Sequence, residues 1–198
     1  MEEMSWELCL WAEAAQIHAL ANDTVGPEPE RGTLPQEHFR RLLDAGLLFE
    51  AIAFMSLAMP RFEAVAWAAG VLERHASTVP LDRWDRRALD TALRWVDEPT
   101  EAHRRAAETA AETAGQMAPE RLLALSVFFS GGSISEPELD LVAPAAELAG
   151  RLASGAVLGS CHRLENPQGA IRKALELGEA VLVHGKKALR TAAEQLGL

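Results

Sequence analysis

The chain has 198 residues, enough for one well-buried core or at most two small ones. Hydrophobic residues make up 48% and charged ones 24%, an ordinary globular balance. A net charge of −10 repels nucleic-acid phosphates and speaks against general DNA or RNA binding.

That charge is uneven. Residues 1–60 hold ten acids against three bases, whereas residues 134–198 hold eight against seven. A basic protein partner would be drawn to the amino-terminal third. The opening "MEEMSWELCLW" is acidic where a secretory signal is basic. The apolar run Leu122–Phe129 is far too short to span a bilayer. Cys9 and Cys161 form no C-x-x-C and no disulfide framework. These features predict a cytoplasmic protein that does not insert into membranes.

A first helix is expected from Ser5, as N-cap, to Leu20. "ANDTVGPEPERG" then reads as a linker without periodicity. Thr33-Leu34-Pro35-Gln36 looks like a capping box with Pro at the first helical position, opening a helix through Asp44. Gly46 caps it, and another helix runs from Leu47 to Met59. Pro60 starts the next, whose Phe62, Val65, Ala66, Ala69, Leu72 and Ala76 recur at the spacing of one buried face.

Leu81, Trp84, Ala88, Ala92 and Trp95 form a second such stripe, with Asp82–Arg86 and Asp90–Arg94 as i,i+4 pairs on its polar side. The next helix presents Ala102, Ala106, Ala110 and Ala114 as a small face and ends at Gly115. Pro119 opens "PERLLALSVFF", and Pro144, Asn166-Pro167 and Lys186 open the last three segments. No segment alternates with period two. The expected fold is an all-α, single-domain bundle of eight or nine helices, with residues 1–32 as helix plus linker and 33–198 as core.

"VFFSGGSIS", residues 127–135, invites a phosphate-loop reading. A phosphate loop, however, places its glycines before a helix, where free N–H groups and the positive dipole end face the anion. Here they follow one, so Gly131 or Gly132 is expected to terminate it in the left-handed conformation. The G-x-S-x-G elbow is also missed.

Metal ligands on a helix stand three or four apart so that both reach one ion. Only His162 has a partner at that offset, Glu165, and adjacent Cys161 points elsewhere. No metal, cofactor or catalytic residue is therefore assigned. A hydrolase using His162 and Glu165 is the rival class.

Three stretches carry a resemblance. "EAIAFMSLAMPRFEAVAWAAGVLER", "ALRWVDEPTEAHRRAA" and "LSVFFSGGSIS", in that order, are similar to signatures of an uncharacterised bacterial all-helical family. The resemblance covers about residues 40–185 and implies no activity. Some members of that family are associated with type VI secretion gene neighbourhoods, which implies an accessory, adaptor or chaperone-like role, or toxin immunity.

The first helix is where partner binding is expected. At 100° per residue, Trp6, Leu10, Ala14 and Ile17 form one apolar stripe, and Leu8, Trp11, Ala12, Ala15 and Ala19 another on nearly the opposite side. One stripe would dock on the core while Trp6, Leu8, Trp11 and Ala15 help present the other to a protein partner or a second copy. A chain starting at Gly32 is then expected to stay folded. A self-assembling structural subunit is the third reading.

Overall fold

The computed structural model describes residues 5–21, 25–136 and 138–189. Among them lie nine α-helices of seven residues or more: α1 Ala14–Leu20, α2 Pro35–Asp44, α3 Leu48–Ala58, α4 Arg61–His75, α5 Arg83–Asp97, α6 Glu101–Thr113, α7 Pro119–Phe128, α8 Leu148–Cys161 and α9 Pro167–His184. The protein is an all-α, single-domain bundle around one continuous apolar core. No helix among the described residues is long and apolar enough to cross a membrane.

Local chemistry sets most boundaries. Asn166 Oδ1 accepts from Gly169 N at 2.9 Å, with Pro167 in the first helical position of α9. Asp82 caps α5 by accepting from Trp84 N at 2.7 Å, and Thr100 caps α6 through His103 N at 3.2 Å. Gly46 follows α2 at φ 74°, a conformation other L-residues rarely adopt.

In the interior, α8 packs on α3, α4 and α7. A Cβ at Gly150 would meet the Ser56 carbonyl oxygen at 2.9 Å, so glycine there lets α8 lie almost directly on the backbone of α3. Trp67 of α4 is fully buried, and its indole N–H donates to the Ala174 carbonyl of α9 at 2.8 Å. A buried tryptophan with its one donor satisfied contributes apolar area without an orphaned polar group.

The amino-terminal expectation needs correction. Residues 5–13 are turns and bends, and α1 begins only at Ala14. Their backbone groups bond to other elements instead: Leu8 N donates to Leu182 O at 2.9 Å and Leu10 N to Ala58 O at 3.1 Å. Tertiary hydrogen bonds have displaced the i→i−4 ladder. Within the expected linker, residues 25–32 are tied back to the rest of the molecule. Val25 is buried, His18 Nε2 lies 3.1 Å from Gly26 O, and Gly32 N donates to Glu13. Trp6, Ala14, Ile17, Ala21 and Val25 belong to the same core as the rest.

Smaller departures follow the same logic. Leu34, not Thr33, occupies the N-cap of α2, because Thr33 is buried with its carbonyl taken by Ala14 N. The helix expected at Pro144 begins at Leu148. On α6 the buried face is Arg104, Ala107, Ala110 and Ala111, while Ala102 and Ala106 are exposed. Arg104 shares that buried face, its guanidinium bonded to Glu101 and to the Phe128 and Ser133 carbonyls. Among the described residues neither Asp82–Arg86 nor Asp90–Arg94 forms an ion pair, and Asp82 instead accepts from Trp84 N as the cap of α5.

Candidate functional site

Glu101 and Arg104 stand one turn apart at the start of α6, so their side chains meet on one flank. The carboxylate takes Arg104 in a fork, Nε to Oε2 and Nη2 to Oε1, both 2.7 Å. Bidentate pairing fixes the guanidinium plane. This hydrogen bond to Arg104, with a further one to Arg105, holds the Glu101 carboxyl below its usual range despite some burial.

Only 3% of Arg104 is exposed, and its remaining donors reach across the molecule. Nη1 donates to the Phe128 carbonyl at the end of α7, and Nη2 donates to Ser133 O at 2.8 Å. The guanidinium carbon lies 4.9 Å from the centre of the Phe128 ring. Arg105 adds two bonds, to Ser133 O at 2.8 Å and Ser135 O at 2.7 Å. The two arginines latch the segment that leaves α7.

Gly132 makes the latch possible. Its φ is 65°, as expected for a residue turning the chain after a helix. A Cβ there would also stand 3.0 Å from Arg104 Nε and Nη2. Glycine is required twice, by conformation and by the close approach of the guanidinium.

Beyond the latch the segment folds onto itself. Ile134 N donates to Val142 O at 2.9 Å, Val142 N to Ser133 Oγ at 3.1 Å, and the Ser135 hydroxyl to Asp140 O at 2.6 Å. Buried Pro144 anchors the far side. Between these ties, Leu139, Leu141 and Val142 are 66%, 76% and 48% exposed. Glu138 and Asp140 alternate with the two leucines, and Glu136 precedes them. The result is a pinned acidic–apolar edge. A shallow cleft of about 310 Å³ lies beside the latch, lined among others by Phe62, Trp95, Glu101, Arg104 and Gly131.

The residues expected to bind a partner lie elsewhere and are engaged within the chain. Trp6 is 6% exposed and packs against Phe39, ring centres 5.0 Å apart. Trp11 is half-buried and donates its indole N–H to Leu57 O at 2.8 Å. Leu8 and Ala15 are half-buried, and a Cβ at Gly185 would lie 3.3 Å from the Leu8 side chain. The two opposed stripes do not exist, because residues 5–13 are not helical.

His162 and Glu165 are both exposed, and no hydrogen bond joins them. His162 instead stacks on Phe49 at 5.6 Å and bonds Leu158 O through Nδ1. Burial pushes the Cys161 thiol up to about 11, which keeps it protonated and unreactive at neutral pH. Among the described residues no three His, Cys, Asp or Glu groups are placed to hold a metal ion.

One serine–histidine contact was invisible to spacing arguments, because 85 residues separate its members: His75 Nδ1 lies 2.7 Å from Ser160 Oγ. Burial lowers the His75 pKa, with a smaller contribution from Arg74. Ser160 is only 2% exposed, and neither residue lines the cleft beside the latch. The contact satisfies a buried hydroxyl.

All three stretches that carry the sequence resemblance meet at the latch. Phe62 comes from the first, Trp95 through Arg105 from the second, and Phe128 through Ser135 from the third. A model of a family of unknown function, DUF6931, matches residues 38–182. The chain belongs to this family. No curated protein and no solved structure matches it. The DUF6931 region contains the whole latch and edge, whereas the segment at 5–21, which completes the core, precedes it.

Proposed function

We propose that this DUF6931 protein is a non-enzymatic interaction module that holds its protein partner by the edge Leu139–Val142. One observation carries the reading: three large apolar side chains stand exposed on a segment that two arginines and its own hydrogen bonds pin in place. Apolar groups left in water on a rigid support lose little conformational entropy when they dock. Alternation of Glu138 and Asp140 with Leu139 and Leu141 suits a partner offering apolar pockets rimmed by basic groups. The three-stretch resemblance supports an accessory or adaptor role in the cytoplasm beside a bacterial type VI secretion machine.

The test is affinity purification from the native cell with wild type and the Leu139→Asp/Leu141→Asp variant. A protein retained by wild type and lost by a variant of unchanged melting temperature is the expected outcome. Equal retention by both overturns the proposal.

A further inference from the structure

On the other flank of α6 the arginines behave differently. Arg83, Arg86, Arg87 and Arg94 of α5 line a groove of about 330 Å³ with Asp90 and Thr91, closed by His103 and Ala106 of α6. Four guanidiniums thus share one groove with a single carboxylate, in a chain whose net charge is −10. Some arginines elsewhere pair with acids, Arg41 with Glu37, Arg104 with Glu101 and Arg163 with Glu120, each at 2.7 Å, while Arg61, Arg121 and Arg151 donate to backbone carbonyls. Among the described residues none of the four in the groove makes an ion pair, Asp90 included.

Two acids near the start of α5 are engaged otherwise, and Asp90 in the groove pairs with none of the four. Asp82 caps the helix, and Asp85 accepts from Gly115 N at 2.9 Å. Two of the cations are also held in position. Arg83 stacks on Trp84 at 4.4 Å, and Arg86 donates to Ala76 O at 3.2 Å. Like charges gathered on one helix face repel one another and cost stability unless an anion fills the gap.

We infer that this groove binds an acidic peptide segment of a partner protein. From Arg83 to Arg94 the helix rises roughly 16 Å, and Arg83 and Arg87 stand about 6 Å apart along it. Alternate carboxylates of an extended acidic peptide recur at roughly 6.8 Å, so successive side chains meet successive guanidiniums. A single phosphate would engage only part of such a row. His103, in the first turn of α6, already donates its N–H to the Thr100 hydroxyl, which removes one backbone donor an anion would use there. Nucleic acid is repelled by the rest of the surface.

The inference is independent of the Leu139–Val142 edge. Fluorescein-labelled deca-glutamate is titrated into the full chain by fluorescence polarisation, with inorganic phosphate and pyrophosphate as competitors. Saturable binding is expected that weakens at least tenfold between 50 and 200 mM salt, is lost in Arg87→Glu/Arg94→Glu, and persists in Leu139→Asp/Leu141→Asp. The charge-reversed variant should melt no lower than wild type. No saturable binding, binding undiminished in the groove variant, or displacement by millimolar phosphate overturns the inference. If sedimentation shows wild-type self-association that the groove variant abolishes, the occupant is a second copy of this chain and the heterologous partner is overturned.

Discussion

Arg104 and Arg94 sit on adjacent helices, ten residues apart in sequence, yet the fold treats them in opposite ways. Arg104 is buried and its guanidinium is engaged by a carboxylate, two carbonyls and an aromatic face. Arg94 is exposed on a groove with three other arginines and no ion-pair partner among the described residues. The first arrangement builds structure, because removing any participant leaves buried polar groups unsatisfied. The second stores unfavourable charge that only an external anion relieves. Neither residue type nor an acid one turn away separates the two roles, since Asp90 stands four residues before Arg94 without pairing; burial against the carbonyls of the segment that leaves α7 does.

The largest effect tests how far structure-building extends beyond the latch. Deleting residues 1–31 removes Trp6, Ala14, Ile17 and Val25 from the core, and each large side chain is worth roughly 1.5–3 kcal/mol of burial. The remaining chain is expected to lose its cooperative melting transition by circular dichroism. A sharp transition within a few degrees of wild type would return the segment to the role of a separable arm.

Next comes the latch itself. Arg104→Ala orphans the Phe128 and Ser133 carbonyls and is expected to cost about 3 kcal/mol in chemical denaturation. Arg94→Ala, the opposing case, should stay within roughly 0.5 kcal/mol of wild type. Equal losses from the two would erase the contrast. Gly132→Val should cost about 2 kcal/mol, through its positive φ and its approach to Arg104. If Arg104→Ala is already present, part of that cost should vanish, because the clash partner is gone.

A smaller effect concerns pH. Burial lowers the His38 pKa below its ordinary 6.5, with further contributions from His18 and Arg41, and His75 is lowered likewise. The folded state therefore resists a proton that the unfolded chain accepts. The stability they confer is fully present above pH 6.5 and is lost as pH falls through the folded values. Burial raises the Glu179 carboxyl, giving an opposing slope just above 4.5, so the histidine contribution is read by difference. The His38→Phe variant should show a flatter melting-temperature profile between pH 7 and 5 than wild type; parallel profiles would assign the slope to other groups.

Helices α2 to α9 were largely legible in the sequence because their signals are local: a proline in the first turn, Asp, Thr or Asn caps, and apolar residues at helical spacing. The left-handed turn at Gly132 was legible for the same reason. The site was not. Arg104 and Arg105 reach carbonyls 24 to 30 residues away, and nothing in "EAHRRAA" distinguishes a latch from an exposed charged face. The exposed row Leu139, Leu141 and Val142 is held by bonds that no local sequence signal announces.

Sequence alone thus determined the fold class and most of the helices from α2 onward, since periodicity and capping act within a turn or two of chain. Tertiary structure decided the fate of residues 5–13, where amides bound to Leu182 and Ala58 outcompete a helix that intrinsic preference would allow. It also decided which arginines are satisfied. Asp82 and Asp90 stand at the right spacing to neutralise Arg86 and Arg94, but a capping bond holds the first and neither forms a pair. Charge compensation depends on which donor wins each carboxylate, and that contest is settled only when the helices are packed.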